Sequence, residues 1–318
     1  MVRHYRKVIR IRATDSPNVR LALEEIARGF RPSGAVLVNG LLTYDEYLKR
    51  RATWDPIRQK IGLDAEFYVG AELLLFPPDW LNGAEERARE LGLRWRKAEA
   101  IGIDPAEGGD KTAMAAVDRK GLVKLVSRQT PDTTDITKEA VAFMREYQCP
   151  TENVVFDRGG GGKQHADRLR KMGYNVRTVA FGESLVPDPK RAKVSPLRDR
   201  LDQREDRYAY RNRRAEMYGE LSQLLDPSLV GDNRNGGYVF AIPANYTDLR
   251  KQLAVFPRMY DDEGRMVLLP KHKKDKDSES KRKTLTELIG HSPDEADALA
   301  LAVHGMLHKP KVAMAGVF

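Results

Sequence analysis

Two apolar runs that each end in an aspartate constrain the fold of this chain more than any other feature of its sequence. Residues 100–103 lead directly to Asp104, and residues 153–156 lead directly to Asp157. The second run is followed by glycines, a helical pattern and a third apolar run at residues 176–181, which is typical of a β-α-β unit. Such units form covered sheets with functional groups at the carboxyl ends of the strands. We therefore predict an α/β domain with both aspartates at the ends of strands.

Further elements surround these runs. A β-meander is predicted between residues 113 and 126, and an amphipathic helix with Asp135 as its N-cap follows it. A final helix is predicted to begin with Ser292 as N-cap, Pro293 at the first helical position and Glu295 completing a capping box. The patterns thus predict a sheet flanked by helices.

Charge and cysteine content narrow the class of protein. The formal net charge is +9 although 32% of the residues are charged, so the excess comes from local clusters and favours a polyanionic partner. The single cysteine, Cys149, excludes an internal disulfide and a cysteine-rich zinc site, and we interpret it as a small buried hydrophobic residue. No apolar stretch approaches the length of a membrane span, so we expect a soluble protein that is not exported.

A second pair of acids accompanies the strand-end aspartates. Asp294 and Asp297 are three residues apart, which places them on one face of the final helix in its first turn. Convergent carboxylates can hold Mg²⁺ or Mn²⁺, and two such ions can promote phosphodiester hydrolysis, with Asp104 as the expected bridging ligand. Each aspartate taken alone is better explained as ordinary turn chemistry or helix-dipole compensation.

Small residues near these acids favour the metal interpretation. Glycines follow both strand-end aspartates, at residues 108–109 and 159–162, and would let a ligand approach the backbone closely. Alternate alanines from Ala296 to Ala302 would let the final helix lie close to the sheet and bring its acids in. The four aspartates are therefore predicted to converge.

Four segments together resemble a known family. They are residues 101–112 (IGIDPAEGGDKT), 154–160 (VVFDRGG), 210–218 (YRNRRAEMY) and 292–299 (SPDEADAL). In this order they look like the nuclease domain of tailed-phage terminase large subunits, over about residues 98 to 308. The resemblance implies a ribonuclease H-like fold, a mixed β-sheet flanked by helices. It also implies a catalytic set of Asp104, Asp157 and Asp294 that binds the metal ions, with Asp297 as a competitor or fourth ligand.

The resemblance also implies an activity and partners. It points to a metal-dependent endodeoxyribonuclease that cuts double-stranded DNA during bacteriophage genome packaging, in the cytoplasm of the infected host, using two Mg²⁺ or Mn²⁺ ions. The implied partners are DNA, the small terminase subunit, the portal and an ATPase motor. No membrane is expected to take part. Two alternatives stay open: a junction-resolving nuclease of the same fold, and a catalytically silent DNA-binding or packaging scaffold module.

The sequence departs from whole terminase large subunits in lacking a Walker A motif. In the run ending at Gly162-Lys163, Asp157 takes the first glycine position and Gln164 the hydroxyl position. We interpret residues 1–98, a mixture of short helices and loops, as a remnant of the ATPase and its linker. Residues 99–310 are then the nuclease domain and 311–318 a tail, and the motor is either truncated or on a separate chain.

Basic segments supply candidate DNA contacts. Residues 187–214 carry ten Lys or Arg against five acids, and residues 271–283 carry seven against three. Such runs are often only solvated surface, but these flank the segments that lead to the predicted site. The candidate DNA-binding residues are Arg158, Lys163, Arg211, Arg213, Arg214, Lys273 and Lys274.

Histidines give weaker signals. His304 and His308 are four apart on the final helix and could share a metal, but an exposed helix face is the preferred interpretation. His165 lies near the second glycine cluster, and no spacing argument supports a catalytic role for it.

Overall fold

The computed structural model describes residues 9–54, 59, 62–65, 74–92, 96–106, 108, 110–185, 210–229, 239–261, 265–273 and 283–310. The chain divides into two compact units, residues 1–71 and 72–318. The first contains helices α1 (Pro17–Ala27) and α2 (Tyr44–Thr53). The Thr43 hydroxyl accepts a hydrogen bond from the backbone N–H of Glu46, so Thr43 caps α2. None of the helices in the described residues is long and apolar enough to cross a membrane.

A five-stranded mixed sheet forms the centre of the second unit. Its strands are β1 (Ala100–Asp104), β2 (Thr112–Asp118), β3 (Gly121–Arg128), β4 (Val154–Asp157) and β5 (Arg177–Val179). The spatial order is β3-β2-β1-β4-β5, with β1 parallel to β4, β4 parallel to β5, and the other pairs antiparallel. Ile103 pairs with Phe156, so the next residues, Asp104 and Asp157, end neighbouring strands on the same edge. The predicted mixed α/β sheet is confirmed.

Helices surround this sheet. They are α3 (Pro78–Leu91), α4 (Thr133–Glu146), α5 (Gly162–Lys171), α6 (Arg213–Leu225), α7 (Thr247–Leu253), α8 (Leu285–Ile289) and α9 (Asp294–Leu307). A short hairpin is formed by β6 (Met259–Tyr260) and β7 (Met266–Val267). Single 3₁₀ turns lie at Ala13–Asp15, Thr151–Asn153 and Pro227–Leu229.

Two hydrophobic clusters cover opposite faces of the sheet. Along β1, Ala100 joins the cluster that contains α6 and α9, whereas Ile101 and Ile103 join the one that contains α4 and α5. Successive strand residues point to opposite faces, so this alternation places helices on both sides. The double covering predicted from the β-α-β pattern is present.

The backbone of α9 lies directly against β1. A Cβ atom built on Gly102 would lie 2.2 Å from the carbonyl oxygen of Ala298 and 2.3 Å from the nitrogen of Ala302. Only a residue without a side chain fits there, so Gly102 and the alanines of α9 together allow the close approach. This contact places the first turn of α9 at the edge where β1 ends.

The boundary between the units differs from the one predicted near residue 98. The second unit begins at Glu72, and Leu81 and Ala84 of α3 are buried in the same cluster as α6 and α9. Helix α3 lies within the predicted N-terminal segment, but its apolar face belongs to the core of the second unit. The assignment of residues 1–98 to an ATPase remnant stays a prediction, and the tail at 311–318 lies outside the described residues.

Two predicted helix caps were wrong. Asp132 rather than Asp135 caps α4, accepting a hydrogen bond from the backbone N–H of Thr134 at 2.8 Å. Helix α9 begins at Asp294 with Pro293 in the N-cap position, so Ser292 does not cap it. Ser292 is buried, and its hydroxyl bonds to none of the described residues. The first turn of α9 is thereby left with three acids that complement the helix dipole.

Candidate active site

Three aspartate carboxylates converge on one lysine ammonium. Nζ of Lys271 lies 3.4 Å from Oδ2 of Asp297, 3.6 Å from Oδ1 of Asp294 and 3.9 Å from Oδ2 of Asp104. Asp104 comes from β1 and the other two from α9, more than 180 residues further along the chain. The structure therefore brings together acids that the sequence could only suggest would meet.

Lys271 is held in place by the start of α8. Its carbonyl oxygen accepts hydrogen bonds from the Thr286 hydroxyl at 2.7 Å and from the Thr286 backbone N–H at 3.3 Å. The helix itself is capped by Thr284, with Glu287 completing a capping box. The lysine therefore projects from an anchored backbone, and its position in the site does not depend on its flexible side chain alone.

The two carboxylate oxygens of Asp297 have different surroundings. Oδ1 accepts hydrogen bonds from the Tyr218 hydroxyl at 2.7 Å and from Nη2 of Arg214 at 3.0 Å. Oδ2 is buried and accepts no hydrogen bond from the described residues, although Lys271 faces it. A buried carboxylate oxygen without a hydrogen bond is costly unless another positive group satisfies it. This oxygen is thus available to a cation.

The two carboxylate oxygens of Asp294 also have different partners. Its Oδ2 accepts a hydrogen bond from the backbone N–H of Lys111 at 3.1 Å, and its Oδ1 faces Lys271. The bond fixes the loop after β1 to the first turn of α9. Asp294 and Asp297 therefore both face Lys271, and their role as metal ligands stays a prediction.

The glycine loop after β4 packs against the end of β1. A Cβ atom on Gly162 would lie 1.8 Å from the carbonyl oxygen of Asp157, and one on Gly160 would lie 2.7 Å from that of Pro105. Gly160 also has a φ of 52°, which favours glycine. We predicted that these glycines admit a ligand, but at these two positions they are needed by the packing of the chain. The loop holds half-buried Asp157 beside Asp104.

The site carries an excess of negative charge. Burial raises the pKa of Asp104 well above its usual value, and the neighbouring Asp297, Asp157 and Asp294 raise it further, against the opposing effect of Lys271. Burial is also the main reason that the pKa of Asp157 is raised. The raised pKa values show that the charge of Lys271 does not offset burial and the repulsion among the carboxylates. Further positive charge would stabilise their ionised forms.

Asp297 behaves differently because cations surround it. Burial acts to raise its pKa, but the charges of Arg214 and Lys271 and the hydrogen bond from Tyr218 outweigh burial and lower it. Burial acts to lower the pKa of Lys271, but the charges of Asp297, Asp104 and Asp294 outweigh burial and raise it. Asp297 is therefore ionised, as a metal ligand must be.

The predicted DNA contacts are only partly at the surface. Arg158, Lys163 and Arg211 are exposed. Arg213 is half-buried and pairs with Glu216 on its own helix. These four positions stay predictions as DNA contacts, with Arg213 the least accessible of them.

Three further predictions near these residues have different outcomes. Arg214 is buried against Asp297, so its predicted role as a DNA contact was wrong, and it positions a carboxylate instead. Lys273 is exposed but lies 3.1 Å from Glu287. Lys274 and residues 186–209, most of the first basic segment, lie outside the described residues.

The sequence did not reveal the roles of Lys271 and Tyr218. Lys271 lies in a basic run, although the apolar residues Leu268 and Leu269 come just before it, separated from it by Pro270, and they indicate a partly buried position. Tyr218 follows Arg214 by four residues, so both lie on one helix face, and this spacing was a usable signal. His165 is buried, and its Nδ1 lies 3.4 Å from the Thr137 hydroxyl on α4.

The residues present fit a hard divalent cation. Every acid in the cluster offers carboxylate oxygen, the ligand type preferred by Mg²⁺ and Mn²⁺. The buried Oδ2 of Asp297, without a hydrogen bond from the described residues, is the strongest single indication of fit. Asp104, Asp157, Asp294 and Asp297 could together hold one or two ions.

No family model and no curated protein matches the sequence, but solved structures do. A point mutant of the nuclease domain of the large terminase subunit of bacterial virus Sf6, with manganese and beta-thujaplicinol, is 18% identical with a TM-score of 0.53, covering 73% of this chain and 99% of that chain. The same domain without a named substitution is 19% identical with a TM-score of 0.52 and the same coverage. A structure of the point mutant with calcium is 18% identical with a TM-score of 0.52, and it covers the same share of each chain.

At these identities the similarity establishes the fold. The strand order, the strand-end aspartates and the final helix across β1 agree with the predicted ribonuclease H-like architecture. Over 73% of its length, this chain has the ribonuclease H-like fold of the nuclease domain of the large terminase subunit of bacterial virus Sf6.

Proposed function

We propose that this protein is a metal-dependent endonuclease that cuts double-stranded DNA during viral genome packaging. The observation that carries the proposal is the convergence of Asp104, Asp294 and Asp297 within 3.9 Å of Lys271 Nζ. The presence of manganese in the structurally similar nuclease domain of virus Sf6 supports the same class of chemistry here. Residue types and fold thus point to one reaction, hydrolysis of a phosphodiester.

The four aspartates of the site would together bind two divalent cations. Asp104 lies between Asp157 on the neighbouring strand and the acids of α9, so it is the best placed to contact both ions. When bound, the cations would supply the charge that activates water and stabilises the leaving oxygen. Arg214 and Tyr218 keep Asp297 oriented by binding its other oxygen. These two are positioning residues.

Lys271 contributes a positive charge at the same point. Its ammonium offsets the repulsion among the carboxylates and lets them lie close together before any ion binds. The ammonium also offers up to three hydrogen-bond donors to a phosphate oxygen brought to this edge. Lys271 therefore belongs to the proposed binding machinery.

Exposed basic residues would hold the DNA backbone. Arg158 and Lys163 flank the glycine loop next to Asp157, and Arg211 precedes α6. Contacts of this type read phosphate charge and not base sequence, so binding would be sensitive to salt and nearly independent of sequence. Packaging would further require the small terminase subunit, the portal and an ATPase motor from another region or subunit, all in the host cytoplasm.

Plasmid cleavage tests the proposal. The full chain should convert supercoiled plasmid to nicked and linear forms only when Mg²⁺ or Mn²⁺ is added. Asp104→Asn should abolish cleavage while keeping the circular dichroism spectrum, and Asp135→Asn, at a partly exposed acid on α4 that pairs with Lys138, should cut normally. Cutting by Asp104→Asn at the wild-type rate, or cleavage without added metal, would refute the assignment.

Two further measurements separate the alternatives. Equal cleavage of linear duplex and four-way junctions would support a duplex nuclease, whereas strong preference for the junction would support a resolvase. DNA binding by a folded protein that never cuts, with either metal, would leave the scaffold module as the explanation.

A further inference from the structure

A second group of metal-ligating side chains lies away from the carboxylate site, along the same two helices. Glu220 of α6 faces His304 and His308 near the end of α9. Nδ1 of His304 is 3.1 Å from Oε2 of Glu220, and Nε2 of His308 contacts Oε1. One ligand atom from each residue lies within 4.8 Å of the others. We infer that these three residues form a binding site for a zinc-class ion, separate from the nuclease centre.

The geometry fits a tetrahedral ion. Donors placed about 2.0–2.1 Å from a tetrahedral zinc lie roughly 3.3 Å from one another. The His304–Glu220 separation is close to this value, and the two imidazole rings, four residues apart on one helix face, have centroids 4.3 Å apart. Small rotations of the side chains would therefore admit an ion.

The donor set selects the metal. Two imidazole nitrogens and one carboxylate oxygen suit Zn²⁺, Co²⁺ or Ni²⁺, whereas Mg²⁺ and Ca²⁺ prefer oxygen ligands alone. The nuclease site offers only carboxylates, so the two sites should discriminate between classes of ion. Three protein ligands leave a fourth position for water.

Two of the three ligands are largely buried, and the third is partly exposed to solvent. The side chain of His304 is 7% exposed and that of Glu220 is 14% exposed, whereas that of His308 is 47% exposed. An ion can thus enter from solvent on the His308 side and meet two ligands that are already held in place. The backbone of His308 is also fixed, because Arg177 of β5 donates to its carbonyl oxygen at 2.6 Å and to that of Gly305 at 3.1 Å.

The charge state of Glu220 is the one a ligand needs. Burial acts to raise its pKa, but hydrogen bonds and charge from His304 and His308 outweigh burial and lower it. The carboxylate is therefore ionised. Without an ion the same three residues form a hydrogen-bonded triad, which is the competing explanation.

An ion here would join the helices that build the nuclease centre. Arg214 and Tyr218 of α6 bind Asp297 of α9 at one end of the pair, and Glu220 meets the histidines of α9 further along. Crosslinking at Glu220 would hold α6 and α9 together. Zinc should therefore raise the melting temperature of the protein.

Cobalt absorption and calorimetry test the site on the full chain without a histidine tag. After treatment with a chelator, the protein should bind one equivalent of Co²⁺ with visible d–d absorption typical of a tetrahedral site. Zn²⁺ should displace it, and a large excess of Mg²⁺ should not. Calorimetry should give one Zn²⁺ per chain and a higher melting temperature.

Variants assign the ion. His308→Asn, at the most exposed ligand, and Glu220→Gln should each lose the absorption and the zinc-dependent rise in melting temperature. His291→Asn, at an exposed histidine outside the cluster, and Asp294→Asn, in the carboxylate site, should keep both. Unchanged cobalt spectra in folded His308→Asn and Glu220→Gln would overturn the inference. Absence of stoichiometric binding by the wild type, or its loss only in Asp294→Asn, would also overturn it.

Discussion

The Arg214 guanidinium and the Asp297 carboxylate form a buried ion pair, with Nη2 and Oδ1 3.0 Å apart and Asp297 inaccessible to solvent. The pair occupies one oxygen of the carboxylate and leaves the other directed at Lys271. An arginine beside a candidate ligand can mark a purely structural acid. Here it orients the acid, because the site-facing oxygen stays available.

Removing one partner of this pair should destabilise the protein. Arg214→Met leaves Asp297 buried without its strongest partner, and breaking a buried ion pair in this way costs about 3–5 kcal/mol. Urea denaturation should show the loss, and the double variant Arg214→Met/Asp297→Asn should recover part of it because no buried charge is left unpaired. A single variant as stable as the wild type would show that the pair is not buried in solution.

A methyl group at Gly102 should displace α9. The Cβ of Gly102→Ala would overlap the backbone of Ala298 and Ala302, and overpacking of this kind costs about 1–3 kcal/mol. Cleavage should fall as well, because α9 carries Asp294 and Asp297. Denaturant unfolding and plasmid cleavage measure the two effects.

Gly83→Ala is the matched control for that variant. Gly83 lies within α3, and a Cβ there would meet no atom within 4 Å among the described residues. The substitution should leave cleavage unchanged and stabilise the protein by up to about 1 kcal/mol through helix propensity. If both variants behaved alike, the close packing of α9 on β1 would not be what places its acids.

The single thiol should react only after unfolding. Burial, and secondarily Glu152, raise the pKa of Cys149 from 9.0 to about 12. The folded protein should therefore carry about a thousandfold less thiolate at a given pH below 9 than the unfolded chain, and thiolate is the reactive form. Ellman's reagent at pH 8 should label the denatured chain rapidly and the native protein slowly. Equal rates in the two states would contradict the buried position.

Two exposed basic residues should each contribute one phosphate contact. Arg158→Gln and Lys163→Gln should weaken binding uniformly across DNA sequences and reduce the slope of log affinity against log salt by about one each. Fluorescence anisotropy without divalent metal measures binding in the absence of cutting. Lys138→Gln, at an exposed lysine on α4, should not change the slope. An unchanged slope in both test variants would place the DNA elsewhere.

Local patterns were most informative where each element carried its own signal. The apolar runs ending at Asp104 and Asp157 predicted the central strands, and their register shows the two acids side by side. Caps were predicted less well, because Asp132 and Asp135 satisfy the same local rule and the sequence does not distinguish them. Arg214 was misread because a basic residue within an amphipathic helix indicates surface unless its buried partner is known.

The sequence by itself determined the mixed α/β architecture, the strand-end aspartates and the acidic first turn of the last helix, because strand alternation, helix periodicity and residue spacing are properties of neighbours in the chain. Only the tertiary structure decided that Lys271 stands among the carboxylates, that Arg214 is buried against Asp297, and that Glu220 faces two histidines. These contacts join residues up to about 170 positions apart, and they depend on how closely α9 packs against β1 and α6. Side-chain packing between distant elements sets that closeness, and no local pattern encodes it.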